Sequence, residues 1–208
     1  MGLFVTFEGV EGSGKTTLIN RLYDEMLRLG YSVIKTREPG GNKISEQIRN
    51  IILDVDNCEM DYRTEALLYA ASRRQHLVEV IRPALEAGAT VICDRFLDSS
   101  LAYQGHARGL GIEKVYDINL YATEGILPDV TVYIDVAPEE GLSRITNSHR
   151  KVDRLDLETA AFHTKVREGY LLVAGMFPDR IRVVDGSQPL DRIYADIKEI
   201  VFAKIPRR

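Results

Sequence analysis

The sequence holds only two cysteines, Cys58 and Cys93, and no tryptophan in 208 residues. Two cysteines so far apart exclude a disulfide framework and any CxxC redox or zinc pattern. Cys93 lies in an apolar run and reads as a buried small hydrophobe. No stretch approaches the about 18 consecutive apolar residues of a membrane span. No basic segment precedes an apolar one at the N-terminus, so neither a transmembrane helix nor a signal peptide is expected. An excess of positive charge is also missing: 27 Lys and Arg stand against 31 Asp and Glu, a net charge of −4. That leaves no basic footprint for a nucleic-acid duplex, and an anionic ligand has to be met by locally placed Lys and Arg. No Pro/Gly/Ser linker, repeat or low-complexity tract divides the chain, which reads as one domain, residues 1–208. "MGLFVT" fits the N-myristoylation pattern through Gly2 and Thr6. The same residues read as a buried first strand, however, and a cytoplasmic location without membrane attachment is expected.

Apolar residues make up 45%, enough for a substantial core. Five short β-branched runs recur: "LFVTF" (3–7), "SVIKT" (32–36), "ATVIC" (89–93), "VTVYI" (130–134) and "RIRVV" (180–184). Their near-continuous apolarity is that of strands buried on both faces. Between them lie segments of helical period at roughly 15–29, 44–53, 62–86, 110–122, 138–146, 156–175 and 189–204. This alternation predicts an α/β protein, a five-stranded parallel sheet with helices on both faces. The stretch "SRITNSHRKVDRLD" (143–156) is polar, basic and weakly periodic. It reads either as a solvated connector or as a mobile lid, at about 143–155.

"GVEGSGKT", Gly9 to Thr16, matches G-x-x-x-x-G-K-[ST] between the first strand and a helix, where a phosphate-binding P-loop belongs. Gly9, Gly12 and Gly14 let the backbone turn several N–H groups toward one anion, and the helix N-terminus adds its dipole. Lys15 reaches the outer phosphates as a point charge, and the Thr16 hydroxyl ligates Mg²⁺. A GTPase, an ATPase machine or a small-molecule kinase could carry this loop. No Asn-Lys-x-Asp guanine reader follows a strand, and the third strand ends in Asp94-Arg95 rather than an acidic pair, so a kinase fits better.

Further charges collect at the strand ends: Glu8, Arg37-Glu38 of "TREPGG", and Asp94-Arg95, where ligands of parallel sheets gather. "DRFLDSSLAYQG" (94–105) leaves its strand with more hydrogen-bonding groups than a turn requires. Tyr69 and Arg73, four residues apart, share one helical face; taken alone they read as a core aromatic beside an exposed Arg, and beside the charged strand ends as a platform and a fork for a planar base. Lys15 and Arg95 are expected to point into a solvent-filled cleft.

The P-loop, "TREPGG", "RTEALLYAASRRQHL", "DRFLDSSLAYQG" and the arginine-rich segment ending "DRLD" occur in the order seen in thymidylate kinases, and the chain resembles that family over essentially its whole length. The resemblance implies a P-loop NTPase fold, ATP and Mg²⁺ as cofactors, dTMP as acceptor, dTDP as product for DNA synthesis, and a homodimer. It implies an ATP site at Gly9, Val10, Glu11, Gly12, Ser13, Gly14, Lys15, Thr16, Thr17 and Arg144, with metal held by Thr16 and Asp94. Arg95 would contact the dTMP phosphate, with Lys15, Glu11 and Arg150 completing the catalytic set. Ser99, Ser100 and Gln104 would line the acceptor site, the latter two at the thymine edge, with Tyr103 against the deoxyribose. Arg73 would reach a thymine carbonyl and Tyr69 would stack, while Glu38 and Arg49 lie near sugar and phosphate. Three departures are visible: "DRF" replaces the frequent Asp-Arg-Tyr, Tyr69 replaces Phe, and Gly12 stands where some members carry Arg. Arg144, Arg150 and Arg154 look like the bacterial arrangement, in which lid closure delivers arginine. Other acceptors, or a nucleotide-binding regulator without transfer activity, are the alternatives.

Overall fold

The computed structural model describes residues 1–146 and 153–205, with the main chain only at 142 and 144–146. In order the elements are β1 (Phe4–Glu8), α1 (Lys15–Arg28), β2 (Val33–Arg37), α2 (Lys43–Leu53), α3 (Tyr62–His76), α4 (Arg82–Glu86), β3 (Thr90–Asp94), α5 (Leu97–Ser100), α6 (Ile112–Thr123), β4 (Val130–Asp135), α7 (Pro138–Thr146), α8 (Ala160–Met176), β5 (Ile181–Asp185) and α9 (Leu190–Phe202). All five expected strands form one wholly parallel sheet of order β2-β3-β1-β4-β5. The central strands β1, β3 and β4 are buried along almost their whole length, whereas β2 and β5 alternate. Edge strands lose one layer of cover, so only their inward side chains are sheltered.

The helices start where short polar side chains can accept orphan N–H groups. Asn42 accepts from Ser45 N, Asp61 from Arg63 N and Thr64 N, and Thr159 from Phe162 N. Two stretches are π-helical. Leu77–Ile81 joins α3 to α4, and Leu101–Ala107 continues α5. The sequence reading took 94–105 as a polar strand exit and missed this second helix. Its hydroxyls and amide hid an apolar face, Leu97, Leu101 and Ala102, that is fully buried. Among the described residues no helix is long and apolar enough to cross a membrane.

Sheet register positions the site. Asp94 pairs with Phe7 of β1 and with Arg37 of β2, so the carboxyl ends of three strands finish level. Glu8, Glu38, Asp94 and Arg95 therefore meet at one edge, beside the loop that leads from β1 into α1.

Candidate active site

The loop from Gly9 to Gly14 turns through positive φ at Gly9 (150°), Gly12 (74°) and Gly14 (86°), the last capping α1. Gly12 also abuts α7: a Cβ there would lie 2.1 Å from Gly141 O, and one at Gly141 would lie 2.4 Å from Glu11 O. That glycine-on-glycine contact leaves no room for the arginine some thymidylate kinases carry at this position. Lys15 is buried, and its Nζ donates to Gly9 O (2.9 Å), Val10 O (3.1 Å) and Ser13 Oγ (3.3 Å). Burial, with Arg95 nearby, pushes its ammonium down to about 8 against the pull of Asp94, Glu11 and Glu8. Thr16 and Thr17 follow on the exposed first turn of α1.

Arg95 is one of two non-glycine residues with positive φ (68°) among the described residues. Its backbone is held by Arg95 N donating to Phe7 O (2.9 Å), Phe96 N donating to Glu8 Oε1 (2.8 Å) and Cys93 Sγ donating to Arg95 O (3.1 Å). This strained turn sends the guanidinium back toward the P-loop, where it pairs with Glu11. Tyr170 OH (2.8 Å), Ser99 Oγ (3.3 Å) and Tyr103 OH (3.4 Å) complete its shell, and Tyr103 OH donates to Glu11 (3.1 Å). Lys15 and Arg95 are thus largely buried and partnered, and both line the open cavity beside the P-loop. Behind them Glu8 accepts from Ser99 Oγ (2.5 Å) and Tyr170 OH (2.9 Å). Burial, followed by the Asp98 charge, raises its carboxyl to about 7 although Arg95 and the hydrogen bonds from Ser99 and Phe96 oppose this.

Asp94 Oδ1 is buried and has no hydrogen-bond partner among the described residues. Asp94 and Thr16 together line two adjoining cavities. One carboxylate and one hydroxyl, both hard oxygen donors, are what Mg²⁺ takes from a protein when phosphates and water fill its remaining positions. The residues present fit that ion.

The cavity shared with the P-loop, about 160 Å³, has Lys15, Thr16, Glu11, Asp94 and Arg95 at one end. Its walls continue through Glu38, Arg49, Ser99 and Tyr103 to Tyr69 and Gln104. Arg49 Nη1 donates to Pro39 O (3.0 Å). Burial raises the Tyr69 phenol well above its ordinary range, and no hydrogen bond among the described residues engages its hydroxyl.

Arg73 and Ser100 do not line this cavity; they stand one layer behind it. The Arg73 guanidinium donates to Glu38 Oε2 (2.7 Å), Ser100 Oγ (3.0 Å), Phe96 O (2.9 Å) and Asn119 Oδ1. Four of its five N–H groups are therefore engaged among the described residues, while Tyr69, one turn earlier on the same face of α3, lines the cavity. Arg154, at the C-terminal end of the expected lid, is buried and donates to Ile52 O (2.8 Å) and Glu65, which corrects the reading of it as an arginine that closure delivers. Arg150 lies outside the described residues, as do residues 147–152 of the expected lid, and Arg144 is described in its main chain only.

Three functional neighbours escaped sequence reasoning: Glu65, Tyr170 and the cavity-lining Asp153. Glu65 looked like an ordinary first-turn acid, and Tyr170 sits 75 residues from its partner Arg95 on a helix without local motif.

A parallel sheet, a P-loop opening onto its carboxyl edge and an adjoining cavity lined by cationic and aromatic side chains define a P-loop phosphotransferase. The thymidylate kinase family model matches residues 7–197. The thymidylate kinase of Bacillus pumilus is 55% identical over 96% of this chain and 95% of its own length. Those of Bacillus cytotoxicus and Geobacillus thermodenitrificans are each 56% identical over 98% of this chain, and over 99% and 91% of their own lengths. The chain belongs to the thymidylate kinase family.

Proposed function

We propose a division of labour around the cleft for the reaction that family membership sets, in which this chain transfers the γ-phosphoryl group of ATP to dTMP and releases ADP and dTDP. The observation that carries it is the single cavity running from Lys15 and Thr16 to Tyr69 and Gln104, one end cationic and the other suited to a flat base.

The P-loop backbone N–H groups and Lys15 hold the ATP phosphates, Lys15 exchanging the Gly9 and Val10 carbonyls for phosphate oxygens. Arg95 holds the phosphate of dTMP, steered by Glu11 and Tyr103. That phosphate is the nucleophile and is ionised at neutral pH, so alignment and charge stabilisation do more than a base would. Thr16 and Asp94 hold Mg²⁺, which when bound neutralises charge on the outer phosphate oxygens. Tyr69 stacks on the base and Gln104 meets its edge, while Arg73, one layer behind the cavity, braces Glu38 and Ser100. Ser99, Glu38 and Arg49 shape the wall beside phosphate and sugar. The segment at 143–155 acts as a lid, with Arg144 and Arg150 carrying charge to the transferring group and water excluded on closure.

We further infer a homodimer in the cytoplasm. The groove between α3 and α6, lined by Leu67, Ala70, Ala71, Ile118, Leu120 and Tyr121, exposes 57% of Leu67 and 89% of Tyr121 and supports that association. Steady-state assays with ATP and a panel of deoxynucleotide acceptors test the activity. Turnover is expected with dTMP foremost; ATP hydrolysis without acceptor transfer would refute it.

A further inference from the structure

Glu65, in the first turn of α3, is a completely buried carboxylate at the base end of the cleft that the steps above leave unused. Gln104 Nε2 donates to its Oε1 at 2.8 Å. Arg108 donates through Nε (3.4 Å) and Nη2 (3.2 Å), and Arg154 Nη2 donates to Oε2. Burial on its own would raise this carboxyl. Arg108, the hydrogen bond from Gln104 and Arg154 outweigh burial and hold the pKa below its ordinary 4.5. Glu65 is therefore ionised at neutral pH, and an ionised carboxylate accepts hydrogen bonds but cannot donate one.

A primary amide next to such a group has one favourable orientation. The Gln104 atom turned toward Glu65 must be nitrogen, because oxygen against a carboxylate would set two acceptors together. Oxygen Oε1 is then the amide atom left for a ligand, and no hydrogen bond among the described residues engages it. Gln104 lines the cavity although it is only 1% exposed.

We propose that Glu65 is a positioning residue for base selection: it locks the Gln104 amide so that an acceptor, and not a donor, faces the base edge. An acceptor there favours a base with N–H at ring position 3, an imide such as thymine. It repels one with a lone pair at that atom, such as cytosine. Without the lock the amide can turn over at little steric cost, since its oxygen and nitrogen are nearly equal in size, and the distinction fades. The inference rests on Gln104 being the edge reader of the acceptor base.

The test is a comparison of kcat and KM for dTMP and dCMP in the full-length wild type, Gln104→Met and Glu65→Gln, with the Ki of dCMP where turnover is too slow to measure. Gln104→Met is expected to raise the dTMP KM, and an unchanged KM would overturn both the base-reading role and this proposal while leaving dTMP turnover by the wild type standing. Glu65→Gln is expected to lower the preference for dTMP over dCMP at least about tenfold, the size of one misplaced hydrogen bond. Its KM for ATP and its kcat should change little. An unchanged preference in a folded Glu65→Gln protein would overturn the positioning role and leave Gln104 as reader. Because that variant removes a carboxylate shared by Arg108 and Arg154, of which Arg108 keeps Glu158, a measurement on the wild type decides independently. With ¹³C and ¹⁵N label, dTMP binding is expected to shift the Gln104 side-chain carbonyl carbon and leave the Nε2 proton held by Glu65 in place; an unmoved carbonyl carbon would overturn the proposal. Loss of the signals in Gln104→Met assigns them.

Discussion

Lys15 and Arg73 are both buried cations, 8% and 1% exposed, the first lining the phosphate end of the cleft and the second standing one layer behind its base end. Lys15 holds main-chain carbonyls of its own loop, partners that a phosphate oxygen can replace without leaving a buried charge unpaired. Arg73 holds Glu38, Ser100, Asn119 and Phe96 O, partners drawn from three separate parts of the chain. Glu38 in turn is bonded to His76 Nδ1 at 2.9 Å, and His76 Nε2 lies 2.7 Å from Thr36 Oγ1. The phosphate end keeps its charges exchangeable, as a site must when its ligand carries charge that grows during reaction. The base end meets a neutral ligand and commits its charges to a fixed frame, which holds the reading groups still.

The sharpest way to break this contrast is Arg73→Met. It leaves Glu38 buried without its main cation, and the protein is expected to lose about 3–5 kcal/mol of unfolding free energy in denaturant titration. A loss under about 1 kcal/mol, with only the dTMP KM affected, would make Arg73 a ligand contact and not a strut. Lys15→Met should behave in the opposite way. Its kcat is expected to fall at least about 100-fold while the unfolding midpoint stays close to wild type. Near-normal turnover would remove Lys15 from the mechanism.

A smaller effect is expected from Glu8→Gln, just behind Arg95. The folded Glu8 carboxyl titrates near 7, against its ordinary 4.5. Between these values the folded state binds more protons than the unfolded one, so Glu8 favours folding below pH about 4.5, and that contribution is lost as pH rises toward 7. Thermal melts across this window should therefore fall more steeply with pH in the wild type than in Glu8→Gln; parallel curves would show that Glu8 does not titrate there. The least effect belongs to Tyr69→Phe. With no hydrogen bond to its hydroxyl among the described residues, stability and dTMP KM should move by no more than about 0.5 kcal/mol. A larger shift in KM would mean that the hydroxyl touches the ligand.

Most of the scaffold was legible in the chain because its signals are local. Short β-branched runs between helical periods specify a covered parallel sheet, and a glycine loop ending in Lys15-Thr16 specifies a phosphate cradle wherever it joins a strand to a helix. Residues 97–107 were not legible in this way. A short α-helix running into a π-helical stretch, with Ser99, Ser100 and Gln104 among its buried or half-buried residues, has the composition of a loop until its apolar face finds the sheet.

The sequence by itself determined the strand order's ingredients, the P-loop, the kinase class and the set of polar residues that gather at the strand ends, since each depends on neighbours within a few residues. Only the tertiary structure decided which of those residues face the ligand. A helix carrying Tyr69 and Arg73 one turn apart could present both to the cleft. The burial of Glu38 and Asn119 beside Arg73 turned one of them inward. In the same way Glu65 became the partner of Gln104, Arg108 and Arg154 through separations of 39, 43 and 89 residues. Pairing of buried charges is settled by desolvation, which acts only once the chain has closed around them.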